Sequence, residues 1–365
     1  MTWLREILRS KLKFGLLAAA VGLLFFLLIF VNTLSSTLLD QFVGAIENSS
    51  ADVLVFDSEA QATIPASRLT DDDVARVAEV DGVEVATPIS ELTTDTTLDG
   101  TELDISLWGL QIGGPGTPEL AEGRLPGPGE ALIDTSGRDE GLTVGSSFDV
   151  AGVSLEVVGV AENATYSVLP TAYVEGETWK DIFASDFPDA PFAPVNLVGV
   201  ATPQDVEATE VAAAISGLDG LEGLLPEEAA AATPGVSSIE QSFGLITGIT
   251  FVIVVVVVGF FFQILTVQKL RVFALLEALG SRFRSLAGYV LSQIGFLVAL
   301  GVIVGVGMLA GAALATQDVF AISIDPVLVG VLGGAILIAS LISGLTSIRR
   351  IARQDAASVA TGGKR

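Results

Sequence analysis

Four stretches without a single Asp, Glu, Lys or Arg decide most of what this 365-residue chain can fold into. They run from Phe14 to Leu39, Gln241 to Gln268, Ser285 to Gln317 and Pro326 to Ile348. A bilayer core is about 30 Å thick and needs about 20 mostly apolar residues in a helix, and each stretch meets that length. The run Val252 to Val258 would favour a strand in water. In lipid only a helix satisfies its own backbone, so the predicted membrane helices are 14–34, 241–267, 286–316 and 326–348. Arg5, Arg9, Lys11 and Lys13 precede the first one, as they would a signal peptide. Its apolar run is longer than a signal h-region and no small-residue cleavage site closes it, so it reads as an anchor.

Lys and Arg set the orientation. Of the 18 in the chain, 13 lie before the first span, between the second and third (Lys269, Arg271, Arg282, Arg284), or after the last. All three places share one side of a four-span topology. The expectation is therefore that residues 1–13, 268–284 and 349–365 are cytoplasmic and residues 35–238 extracytoplasmic.

The outward segment carries Arg68, Arg76, Arg124, Arg138 and Lys180 against 37 acids, a formal charge of −32. Such a surface repels nucleic acid and anionic headgroups, which excludes a nucleic-acid partner. A face for cations or basic peptides is one reading. The acids are spread evenly and Lys is scarce, which favours a solvated surface suited to high salt and a salt-loving archaeal source. The chain has no Cys and no His. Disulfides, thiolate metal sites, the Ser-His pair and the usual general base are thereby removed, which leaves only an Asp/Glu site open; the expectation is no cofactor, no metal and no catalytic residue. Asp71-Asp72-Asp73 reads as the acidic first turn of a helix capped by Thr70 rather than as a calcium loop.

Within the outward segment, Leu38 to Ile46 can extend the first helix as a stalk that Asn48-Ser49-Ser50 breaks. Strands are predicted at 52–57, 83–89 and 103–110, with a helix at 70–79. A similar order returns later: a strand at 195–200, a helix at 203–215 with Thr202 as cap and Pro203 in its first turn, and a segment at 217–225 like that around Gly82. This suggests two βα halves folding together around a β-rich insert, about 113–173, with a hairpin turn at Ala151-Gly152. Asn48-Ser49-Ser50 and Asn163-Ala164-Thr165 fit a glycosylation sequon, although Asn at a turn explains both.

The run from Gln268 to Arg284 is short, basic and predicted helical, and it sits between two spans. It belongs at a membrane surface, presenting a face to something in the cytoplasm. An amphipathic loop held only by lipid is the bland alternative. The spans hold no ionisable side chain, which argues against an ion path. Gly301-x-x-x-Gly305, Gly307-x-x-x-Gly311 and Ser340-x-x-x-Gly344 suit close helix packing.

Three phrases resemble one family. Glu122-Gly123-Arg124 through Val157-Val158-Gly159-Val160 is similar to the MacB-like periplasmic core, Arg271 to Ser281 to a cytoplasmic signature, and Ile348 to Ala357 to a tail ending. Together they resemble the FtsX/MacB-type (type VII) permeases of ABC transporters, over nearly the whole chain. Ala356, Glu277 and Val272 depart from the usual Pro, basic and acidic residues.

The resemblance implies a membrane α-helical fold of four transmembrane helices, with an extracytoplasmic α+β domain inserted between helices 1 and 2. It also implies a homodimer and a separate cytoplasmic ATPase, in keeping with the absence of a G-x-x-x-x-G-K-[ST] loop here. The coupling residues would be Arg271, Phe273, Ala274, Leu276, Ala278, Leu279, Gly280 and Ser281, with Gly280 ending the helix. The implied function is mechanotransmission for export or extraction of a lipophilic or peptide substrate. The alternative is an FtsX-like, non-transporting regulator of a cell-envelope enzyme, whose outer domain holds a protein partner.

Overall fold

The computed structural model describes residues 11–98, 101–278, 283–316 and 326–361. It divides into two units, Ser36–Gln241 and the combination of Met1–Ser35 with Ser242–Arg365. Helix α1 is unbroken over Lys11–Glu47. It ends where Asn48 folds back, its Nδ2–H donating to Gly44 O (3.2 Å).

The outer unit opens with β1 (Val53–Asp57), α2 (Asp71–Ala78) and β2 (Val85–Leu98). Thr70 starts α2 through a capping box: its hydroxyl accepts from Asp73 N–H (3.3 Å) and the Asp73 carboxylate accepts from Thr70 N–H (3.0 Å). The three acids thus sit on the positive helix end, which accounts for their clustering. A second lobe follows: β3 (Thr101–Leu110), β4 (Leu120–Gly123), β5 (Glu130–Asp134), α3 (Thr135–Asp139), β6 (Ser147–Val150), β7 (Val153–Ala161), β8 (Thr171–Glu175) and α4 (Gly176–Asp186). The chain then returns with β9 (Leu197–Ala201), α5 (Ala208–Ser216), β10 (Leu221–Leu224) and α6 (Pro226–Ala232).

The two βα halves interleave in one antiparallel sheet, ordered β10-β1-β9-β2. That is the split βαβ arrangement. Strand alternation sorts its residues. Val53 and Val55 pack with Val77 of α2 and Val211 and Ile215 of α5. Leu54 and Phe56 join Val43 and Ile46 of α1 and Ala229 of α6. Strand β2 is longer than predicted. Val85–Ile89 pairs with β9, and Ser90–Leu98 pairs with β3 in the second lobe. The helix predicted at 203–215 starts instead at Ala208. Asp52 accepts hydrogen bonds from both Thr202 N–H (2.7 Å) and Thr202 Oγ1 (3.1 Å), so that hydroxyl is held beside β1 and does not cap.

In the second lobe the order continues β3-β8-β5-β7-β4, and β6 pairs with β7 and β2. Ile105, Leu107, Ile133, Phe148, Val157, Trp179 and Ile182 form its core. The turn at Ala151 (φ 49°) and Gly152 (φ 83°) joins β6 to β7 as a hairpin. Two glycines of the family phrase face each other: Gly123 (φ 83°) pairs with Gly159 across β4 and β7. A Cβ on Gly159 would stand 2.6 Å from Arg124 O, so backbone approach explains that glycine. Arg124 forks both guanidinium nitrogens onto the two oxygens of Glu130, and Gly127 N–H adds a third bond. The guanidinium, aided by that N–H, holds the Glu130 carboxyl at a pKa of about 2.

Four helices among the described residues are long and apolar enough to cross a membrane. They lie in α1, α7 (Val236–Ala278), α8 (Phe283–Thr316) and α9 (Pro326–Thr361). Phe25, Leu28, Val254, Val258, Leu297, Val298 and Ile336 form the membrane unit's core. Two helices outrun the predicted spans: α7 continues past 267 to Ala278, and α9 past 348 to Thr361. Neither extension contains Pro, and Lys, Arg, Gln, Leu and Ala keep a helix in water as readily as in lipid.

Candidate functional site

The coupling segment is not a separate helix. Arg271, Phe273, Ala274, Leu276 and Ala278 form the last two turns of α7 itself. Leu279, Gly280 and Ser281 lie outside the described residues. At 1.5 Å per residue, the 43 residues of α7 span about 65 Å, more than twice the hydrocarbon thickness.

The small-residue pairs occupy three different situations. Gly301 and Gly305 are buried against α1. A Cβ on Gly301 would lie 2.9 Å from Val21 Cβ and 3.3 Å from Gly22 N, and one on Gly305 would lie 2.8 Å from Gly22 O. Gly22 completes this close approach and was not singled out in the sequence, because an isolated glycine in an apolar helix does not name its partner. Gly307 and Gly311 are exposed, with nothing within 4 Å of a built Cβ. Ser340 is buried in α9, and Gly344 lies one turn further along it. The contact nearby is made by Ser343, whose Oγ stands 2.8 Å from a Cβ built on Gly259.

A second arrangement went unseen in the sequence. At the outer end of α1, within the outer unit, the loop 163–168 bonds directly to the helix backbone. Ser167 N–H donates to Phe42 O (2.9 Å), Val168 N–H to Gln41 O (2.8 Å), and Ala45 N–H to Thr165 O (2.9 Å). Asn48 Nδ2–H also donates to Asn163 O (3.1 Å). Gly44 makes room, because a Cβ there would stand 2.9 Å from Asn163 O. The loop pays a conformational cost: Asn163, Ser167 and Val168 have φ of 49°, 56° and 61°. For β-branched Val168 that region is strained, and such strain persists where surrounding bonds over-determine it. Both Asn residues of the sequons belong to this clasp.

Glu91 on β2 is the acid whose placement needs explaining. It is 6% exposed. Its Oε1 accepts from Thr93 Oγ1 (3.0 Å) and Ser106 Oγ (2.9 Å), and Trp108 Nε1–H donates to Ser106 Oγ (3.0 Å). Burial raises its pKa above the ordinary 4.5, against the lowering effect of the two hydroxyls. A raised carboxyl favours folding while protonated and loses that contribution as it ionises. Outer-domain stability is therefore expected to fall as pH rises from about 4.5 through the raised value. In Glu91→Gln this part of the decline should be missing when thermal midpoints are measured across the window.

Residues 15–218 match the MacB-like periplasmic core domain, and residues 244–356 match the FtsX-like permease C-terminal domain. An uncharacterized ABC transporter permease of Mycobacterium tuberculosis is 24% identical over 365 residues, covering 98% of each chain. One of Mycobacterium bovis is 22% identical over 305 residues, 83% of this chain and 82% of its own. Among solved structures, the periplasmic region of MacB from Actinobacillus actinomycetemcomitans aligns at 12% identity and TM-score 0.37, over 55% of this chain and 95% of that one. The extracellular domain of the noncanonic ABC-type transporter YknZ from Gram-positive bacteria aligns at 16% and 0.34, over 48% and 98%.

Four membrane helices with an α+β domain between the first and second define a multi-pass membrane subunit of permease type with an extracytoplasmic domain. The chain belongs to the FtsX/MacB-type family of ABC transporter permeases.

Proposed function

We propose that this permease transmits force from a cytoplasmic ATPase to its outer domain and threads nothing through the bilayer. A separate ATPase subunit docks on Arg271, Phe273, Ala274, Leu276, Ala278, Leu279, Gly280 and Ser281, two copies of it on a homodimer of this chain. Arg282 and Arg284 sit by the lipid headgroups. Nucleotide binding draws the cytoplasmic ends together, and the stalk of α1 and the start of α7 move the outer domains. The work done outside is export or extraction of a lipophilic or peptide substrate.

The observation that carries this reading is the continuity of α7, a single helix from Val236 to Ala278. A helix that does not break between its outer and coupling ends passes displacement along its axis. Spans without Asp, Glu, Lys, Arg or His support it too, since they offer a charged solute no charged partner. The test is affinity purification of the detergent-solubilised chain with ATPase activity as readout. Leu279→Asp and Gly280→Asp are each expected to lower the copurifying activity at least about tenfold, as charges placed in an apolar groove contact do. Full retention would remove the docking assignment.

A further inference from the structure

A groove of about 480 Å³ opens in the outer domain beside β2, a size that suits a small organic molecule. One wall is aromatic and comes from α4 and the turns after it: Phe183, Phe187 and Phe192. Trp179, buried in the second-lobe core, stacks on Phe183 (centroids 5.2 Å apart, 14°), and Phe183 packs on Phe187 (5.1 Å). That wall is anchored before any ligand arrives. Phe187 and Phe192 nonetheless remain 44% and 68% exposed, apolar area that nothing in this chain covers among the described residues.

Two groups of opposite charge border the groove, Glu91 and Arg68. Glu91 is buried, both hydroxyl donors reach its Oε1, and among the described residues no donor reaches Oε2. Arg68 is exposed. The other four cations of the outer domain each pair with a carboxylate, whereas Arg68 has none within 4.0 Å among the described residues.

Burial decides which charge selects the ligand. A desolvated carboxylate with a free oxygen beside aromatic faces holds an ammonium strongly, through a charge-assisted hydrogen bond and cation–π attraction. An exposed guanidinium offers an anion only a screened surface pair. An anion would also have to approach a segment of net charge −32.

We propose that the groove binds an amphiphilic amine, its apolar body along Phe183, Phe187 and Phe192 and its ammonium donating to Glu91 Oε2. As cargo, the amine rests on the transport reading above. Its binding rests on the outer domain alone and needs no ATPase.

The purified full chain in detergent, without ATPase, is titrated calorimetrically with phenylbutylamine, the anion phenylpentanoate and neutral phenylbutanol. The amine is expected to bind at least about tenfold more tightly than either, the scale of a charged hydrogen bond. Glu91→Gln should lose about that factor, while Arg68→Gln should bind the amine as well as the parent or better. Phe192→Ala, at an exposed position, should weaken binding severalfold at an unchanged thermal midpoint. Equal affinity for the carboxylate, or full affinity in Glu91→Gln, overturns the proposal. Should Glu91→Gln fail to fold, the amine-to-carboxylate contrast and Phe192→Ala decide. Amine binding by the full chain, found together with full ATPase retention in Leu279→Asp and Gly280→Asp, leaves this inference standing and removes only the docking reading.

Discussion

Gly305→Val is expected to lower the thermal midpoint of the detergent-solubilised chain by several degrees. The new side chain begins 2.8 Å from Gly22 O and 3.1 Å from Phe26 N, both backbone atoms of α1, so no side-chain rotation relieves it. The helices must separate. Overpacking of this kind costs roughly 1–3 kcal/mol. The loss matters more in a membrane, where close packing of helices is itself a main source of association. Gly301→Val should behave alike. Gly307→Val is the matched control: its Cβ meets nothing within 4 Å, so the midpoint should stay where it was. Thermal unfolding of the three variants side by side is the measurement, and equal midpoints for Gly305→Val and Gly307→Val would refute the packing argument.

Gly44→Val is expected to release the loop 163–168 from α1. Its Cβ would stand 2.9 Å from Asn163 O and 3.4 Å from Thr165 O. Moving the loop away breaks the backbone bonds at Ser167, Val168 and Ala45. At about 1 kcal/mol net for each bond, local opening becomes about a hundredfold more frequent. Amide hydrogen exchange reads this directly. Ser167, Val168 and Ala45 should be protected in the parent chain and exchange together, about a hundredfold faster, in the variant. Under the lever reading, nucleotide supplied with the partner ATPase should alter exchange at these amides in the parent and not in Gly44→Val. Unchanged exchange in the variant would show that the clasp does not hold the loop.

The spans were legible because a charge-free run longer than 20 residues has few alternatives to a membrane helix. The family phrases have a physical reason as well: Gly123 and Gly159 stand where two backbones meet without room for a side chain, and Arg124 forks onto Glu130. Local periodicity also located β1, α2 and the β6–β7 turn. It misplaced the start of α5, because Thr202 has a cap's chemistry but spends it on Asp52, 150 residues away. The clasp and the groove were invisible for the same kind of reason. The clasp joins α1 to a loop some 120 residues later, and the groove gathers residues from β2, α4 and Arg68. No local pattern marks such pairings. Gly22 shows the limit within one helix, since spacing reveals a notch but not the helix that fills it.

The interleaving of β10-β1-β9-β2 carries a consequence for how the chain reaches its native state. β1 meets its first neighbour, Leu197–Ala201, only after some 140 further residues have been made, and its second, Leu221–Leu224, only after about 165. The strands between Thr101 and Glu175 pair chiefly with one another and are complete about 20 residues before β9 begins. During synthesis from the N-terminus, the inserted lobe can therefore finish while Val53–Asp57 still waits as an unpaired edge. Such late closure is slow and exposes a strand to wrong partners. Mutations in β9 or β10 should accordingly show themselves as poor yield before they show themselves as altered activity.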